Sequence, residues 1–90
     1  MVTLDSTTAL GRVIEAARVM AGLDQTGLAM ASNVSPSTVS NVENGKDARE
    51  DTIRALRRAL RKAGVTVVFD RTNGIAAATI AFEEPDEDDD

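Results

Sequence analysis

Between residues 7 and 63 the apolar positions recur at helical spacing, and after residue 64 they change to the alternation of a strand. Leu10, Val13, Ile14 and Ala17, continued by Met20 or Ala21, predict a first helix over residues 7–21, capped by Asp5 or Ser6. The next stretch, residues 24–45, reads DQTGLAMASNVSPSTVSNVENG. Asp24 is a good N-cap, and Leu23 and Leu28 flank it at the spacing of a hydrophobic staple, which predicts a helix over residues 25–31. A second start follows at once, with Ser35 as cap, Pro36 at the first helical position and Val34 with Val39 as the staple. Only Ser32, Asn33 and Val34 separate the two helices. A turn this short needs a residue that tolerates positive φ, and Asn33 is suited to that role. Gly45 after Asn44 is the stop. A last helix is predicted over residues 50–63, with Ile53, Leu56, Leu60 and Ala63 on one side and Gly64 closing it.

Beyond Gly64 the residues are β-branched and aromatic, and Asn73-Gly74 is a type I′ turn signal, so a β-hairpin is predicted over residues 66–82. A two-residue loop would pair Thr72 with Ile75, Phe69 with Ala78, Val67 with Ile80 and Val65 with Phe82. The last three pairs are apolar and share one face. An isolated hairpin is only marginally stable. Its apolar face therefore either covers the helices of its own chain or meets a second hairpin, in which case Val67, Phe69, Ile80 and Phe82 form a dimer interface. The expected architecture is mainly α: a helix-turn-helix domain of about four helices over residues 1–65, the hairpin, and an acidic, disordered tail over residues 83–90.

Composition narrows the function. Ninety residues allow one small domain with a thin core. The chain contains no Cys and no His, which removes disulfides, thiolate metal sites, and the commonest general base and metal ligand. No apolar run approaches a membrane span and no leader pattern is visible, so a cytoplasmic protein is expected. The net charge of −5 appears hostile to nucleic acid, but it is unevenly placed. Residues 83–90 hold seven acids and no base; residues 1–82 hold ten Lys or Arg against eight Asp or Glu, a charge of +2. Arg54, Arg57, Arg58, Arg61 and Lys62 share one face of the last helix. That face is either a DNA-backbone footprint or a solvated surface partly neutralised by the tail.

The helix opening at Pro36 has a different outer face. Ser37, Thr38, Ser40, Asn41 and Asn44 turn away from the Val39–Val42 seam and offer short hydrogen-bonding groups without charge or bulk. Such a face can lie against base edges, where Asn reads adenine and Ser or Thr pairs with several bases. Leu23, Gln25, Leu28, Ala29, Val34, Ser35, Thr38, Val39, Ser40, Glu43, Asn44 and Gly45 together resemble the Cro/CI-type (XRE-type) helix-turn-helix of phage repressors and small bacterial regulators. The resemblance covers residues 9–65.

It implies double-stranded DNA as partner, with the second helix of the motif in the major groove. Ser37, Thr38 and Asn41 become the base contacts, since Pro36 has no side-chain donor. Gln25, Ser35, Ser40, Asn44 and Lys46 become phosphate contacts, which position the protein without reading sequence. The resemblance also implies an ion pair between Arg18 and Glu43, bracing the first helix against the recognition helix. The chain departs from the family pattern at Asn33, where Gly is usual, and at Gly27, where a charged residue is common.

The function expected is a sequence-specific transcription regulator of bacterial or phage type, acting as a homodimer on a short inverted repeat, without cofactor, metal or membrane. The alternative is an antitoxin or anti-activator that keeps the fold and works mainly through a protein partner. An enzyme is not expected, because the carboxylates outside the tail sit at caps or on exposed faces.

Overall fold

Three of the four helices begin on a side chain that accepts from one of the free N–H groups of the first turn. In the computed structural model, which describes residues 3–85, α1 (Ser6–Met20) is capped by Asp5, whose carboxylate accepts from the Thr8 N–H at 2.8 Å. α2 (Gln25–Ser32) is capped by Asp24 through the Gly27 N–H at 2.7 Å, and α3 (Pro36–Glu43) by Ser35 through the Thr38 N–H at 3.1 Å. α4 (Glu50–Lys62) has no side-chain cap; Glu50 and Asp51 in its first turn complement the positive end of the helix instead. The helix-to-helix turn closes on Asn33, the single non-glycine residue with positive φ among those described (φ 61°). Its short polar side chain tolerates that conformation where a branched one would not.

The apolar faces meet in one core. Ile14 and Ala17 of α1, Leu28 of α2, Val39 of α3 and Leu56 and Leu60 of α4 are fully buried, with Val65 of β1 (Val65–Asp70) beside them. Each such Leu, Ile or Val contributes about 1.5–3 kcal/mol of burial. One glycine is part of this packing. Gly11 lies buried where α1 crosses the end of α3, and a Cβ on it would collide with the Val42 carbonyl and stand 3.0 Å from the Glu43 carbonyl oxygen and 3.1 Å from the Gly45 nitrogen.

β1 and β2 (Ile75–Ile80) form a two-stranded antiparallel sheet, and its inner face packs in cis. Val65 and Val67 join the helical core, and Ala78 packs against it. Val67 is 3% exposed, so its side chain is not on offer to a second chain, whereas Ile80 is half exposed and Phe82, beyond the end of β2, is 76% exposed. The register differs from the expected one by two residues. Val65 pairs with Ile80, Val67 with Ala78, Phe69 with Ala76 and Asp70 with Ile75, leaving a loop of residues 71–74. Asn73 does not have the positive φ that a type I′ turn requires; Gly74 alone in the loop does (φ 67°). The Asp70 carboxylate decides the matter. It accepts from the Thr72 N–H at 3.0 Å, the Asn73 N–H at 3.2 Å and the Asn73 side-chain amide at 2.6 Å, building an Asx-type turn that needs four loop residues. A slip of two leaves every side chain on its expected face, because the strand period is two.

The Asn73 side-chain amide, joined by the backbone N–H groups of Asn73 and Thr72, holds the Asp70 carboxyl below its ordinary value of 3.8. A lowered pKa means that the turn is stabilised by the charged form. That contribution is complete above the ordinary value and is lost as pH falls through the lower, folded value. Acidification from about pH 5 to about pH 2 is therefore expected to deprotect the Thr72 and Asn73 amides. Hydrogen exchange showing no pH-dependent loss of protection there, beyond the intrinsic rate, would contradict this account of the turn.

The acidic tail is described only as far as Pro85. The expectation of disorder over the remaining residues, 86–90, lies outside the described part of the chain.

Candidate nucleic-acid interface

A single carboxylate sets the relation between the first three helices. Glu43, the last residue of α3, is buried, and both its oxygens are engaged. Oε2 accepts from Arg18 Nε of α1 at 2.7 Å; Oε1 accepts from Arg18 Nη2 at 3.2 Å and from Gln25 Nε2 of α2 at 3.0 Å. Arg18 Nη1 also donates to the Leu23 carbonyl, just before α2, at 3.0 Å. The side chains of Arg18 and Glu43 are 14% and 3% exposed, so the fork-to-fork pair works largely away from solvent. Its hydrogen bonding to Glu43 holds the Arg18 guanidinium above its ordinary value. Among the described residues no buried side-chain N or O lacks a hydrogen-bond partner.

The Arg18–Glu43 pair was expected from the family resemblance; the Gln25 bond to the same carboxylate was not. An amide nitrogen carries two N–H groups. One of those on Gln25 is committed to Glu43, which leaves the other for a second acceptor at the start of α2.

Held in this way, α3 presents a face that is short, polar and uncharged. Eight residues give it a length of about 12 Å, comparable with the width of a major groove. Ser37, Asn41 and Asn44 lie exposed along one row at i, i+4 and i+7, with Thr38 and Ser40 half-buried beside it. The hydroxyls at the start of the helix are interlinked: Ser35 Oγ lies 2.8 Å from Thr38 Oγ1 and 3.1 Å from Ser37 Oγ. Asn44 Nδ2 donates weakly to Ser40 Oγ at 3.4 Å. Lys46, just past the helix, is exposed. The structure thus brings Ser35, Ser37, Thr38, Asn41 and Asn44 onto one surface and leaves Gln25 half-buried at its edge. At the turn between α2 and α3, the buried Ser32 hydroxyl is satisfied within α2, donating to the Leu28 carbonyl at 2.6 Å. Gly27 leaves room for the Asp24 cap, because a Cβ there would stand 3.1 Å from Asp24 Oδ1.

Among the described residues there is no cluster of acidic side chains that could hold a metal ion, and no helix is long and apolar enough to cross a membrane. No curated protein matches the sequence. Two crystal structures of the clp gene regulator ClgR from Corynebacterium glutamicum are similar, each with a TM-score of 0.61 and 30% identity over 67% of this chain. The match takes in 65% of one of those chains and 78% of the other, so this protein spans just under two thirds of the first. The helix-turn-helix family HTH_3 matches residues 14–65, more than half of the sequence. That span holds the second half of α1 from Ile14 on, all of α2, α3 and α4, and the whole of the Arg18–Glu43–Gln25 brace. The chain belongs to the HTH_3 helix-turn-helix family.

Proposed function

We propose that this protein is a sequence-specific, double-stranded-DNA-binding transcription regulator, working as a dimer on a short inverted repeat with α3 in the major groove. The observation that carries the proposal is the exposed row Ser37, Asn41 and Asn44 on a helix whose angle is fixed by a three-way bond to Glu43. Asn41 reads adenine best among these groups, and Ser37 and Thr38 add adaptable hydroxyls. Gln25 uses its second N–H on a phosphate, and Ser35, Ser40, Asn44 and Lys46 supply further phosphate contacts. Phe69, Ile80 and Phe82 remain for the dimer, while Val67 is taken up by the helical core. The protein is not an enzyme and works in the cytoplasm.

The test is selection of a random duplex library by the purified protein at about 0.15 M salt, where weak non-specific binding is suppressed. An enriched palindrome with half-sites about one helical turn apart is expected. On that sequence Asn41→Ala should cost about 1–3 kcal/mol, and much less on random DNA. Sedimentation showing a monomer at tens of micromolar would sink the dimer. The second reading, a protein-binding antitoxin or anti-activator, is favoured by the absence of any cation on the described outer face of α3. It predicts no enriched sequence, binding that vanishes as salt rises, and a tight complex with a protein partner.

A further inference from the structure

A groove of about 690 Å³ is bounded by α4, the loop after α3, the start of α1 and β1, and Val42 of α3 also lines it. Six cations line it: Lys46, Arg54, Arg57, Arg58, Arg61 and Arg71. Among the described residues that line it, Asp47 and Glu50 are the only acids. The four α4 arginines fall at i, i+3, i+4 and i+7, a continuous stripe of like charge, which is unfavourable unless an anion faces it. Among the described residues Glu50 approaches Arg54 at 3.9 Å, and no carboxylate pairs with Arg57, Arg58, Arg61 or Arg71.

The backbone shows where this groove leads. The Ala81 N–H donates to the Gly64 carbonyl at 2.8 Å, so the alternation of an antiparallel ladder turns the backbone N–H and C=O groups of Val65, Val67 and Phe69 away from β2. Arg57 Nη2 donates to the Val67 carbonyl at 2.9 Å, which puts the free edge of β1 on the groove wall. The same Ala81–Gly64 bond holds the chain, as it leaves β2, beside the C-terminal end of α4, three residues after Arg61.

We propose that the groove is a docking site for an extended acidic peptide, and that its occupant is this chain's own C-terminal segment, residues 83–90. Seven of those eight residues are acids, against six cations in the groove. The segment starts at the correct end. Residues 82–90 reach about 30 Å when extended, and the stripe from Arg61 to Arg54 needs about 10 Å. Pro85 has no N–H to give to the β1 edge, so the contact is made by carboxylates on guanidinium groups rather than by adding a third strand. An occupied groove withholds the arginine stripe from other polyanions and confines the open polar surface to the α3 side.

The test uses a fluorescent peptide of sequence EEPDEDDD and the full-length protein, with no DNA present, so its outcome is independent of the regulatory reading. Binding is followed by anisotropy at about 50 mM salt, where charge is weakly screened. The partners are the native protein, a variant with neutral amides in the tail (E83Q, E84Q, D86N, E87Q, D88N, D89N, D90N), and that variant with R58A and R61A added. A tethered segment acts at an effective concentration on the order of 1 mM, so the peptide should bind the neutral-tail protein about tenfold more tightly than the native one. Adding R58A and R61A should weaken it by about tenfold or more; both side chains are exposed, and the circular dichroism should be unchanged. Equal affinity for native and neutral-tail proteins, no effect of the two arginine changes, or no peptide binding at all would each overturn the proposal.

Discussion

Replacing Glu43 by alanine is expected to cost about 3–5 kcal/mol, because it strands Arg18 as a largely buried, unpaired cation. A domain of this size has about 5–15 kcal/mol in total, so the variant should lose a large share of its stability and unfold at a much lower urea concentration. Urea denaturation of the native and variant chains measures the difference. The three donors on Glu43 separate the contributions. Gln25→Ala removes a neutral donor from a carboxylate that keeps both Arg18 bonds, and should cost about 1–2 kcal/mol. Arg18→Ala should approach the cost of Glu43→Ala, and the double variant should cost less than the two singles added. A coupling energy within about 0.5 kcal/mol of zero, the additivity expected of sites that do not touch, would show that the pair does not act as a unit.

The second large effect is one for which a helix-propensity argument gives the opposite sign. Gly→Ala in the middle of an exposed helix stabilises by about 0.5–1 kcal/mol. At Gly11 the added methyl would meet backbone atoms of Val42, Glu43 and Gly45, none of which can swing aside as a side-chain end would. α1 must then retreat from α3, and overpacking of this kind costs about 1–3 kcal/mol. Gly11→Ala should lower the thermal midpoint, and because Arg18 lies on the same helix, it should loosen the brace as well. A raised midpoint would mean that α1 and α3 have more freedom than their packing suggests.

Much of this arrangement was legible in the sequence, for identifiable reasons. Asp24, Ser35 and Pro36 act within one turn of their own position, so their roles could be read locally, and the helices they start begin where expected. Asn33 was legible because so short a turn admits few residue types. Other features depend on contacts that no local pattern records. Gly11 gives no sign in the sequence of the backbone it faces. The Gln25–Glu43 bond joins residues 18 positions apart on different helices. The hairpin shows the boundary most clearly. Alternation fixes which side chains face inward, but it is blind to a slip of two, and the Asx contacts of Asp70 outweighed the Asn-Gly signal. Alternation also left open whether the inner face would meet its own helices or another chain. Val65 and Val67 complete a core that four short helices leave open on one side, and that closes the question for those two residues.

The brace at Glu43 also bears on how such a protein can change its target. α1, the start of α2 and the end of α3 are clamped at one point, so the tilt of α3 is not an independent variable. A descendant of this chain could not re-aim the helix by small adjustments without breaking a buried pair. It could exchange Ser37, Thr38 or Asn41 at little cost to the fold, because those side chains carry none of the core. The frame and the lettering are therefore separable. On the reading proposed above, drift in what is recognised would be written on Ser37, Thr38 and Asn41, while Arg18, Gln25 and Glu43 stayed fixed behind them.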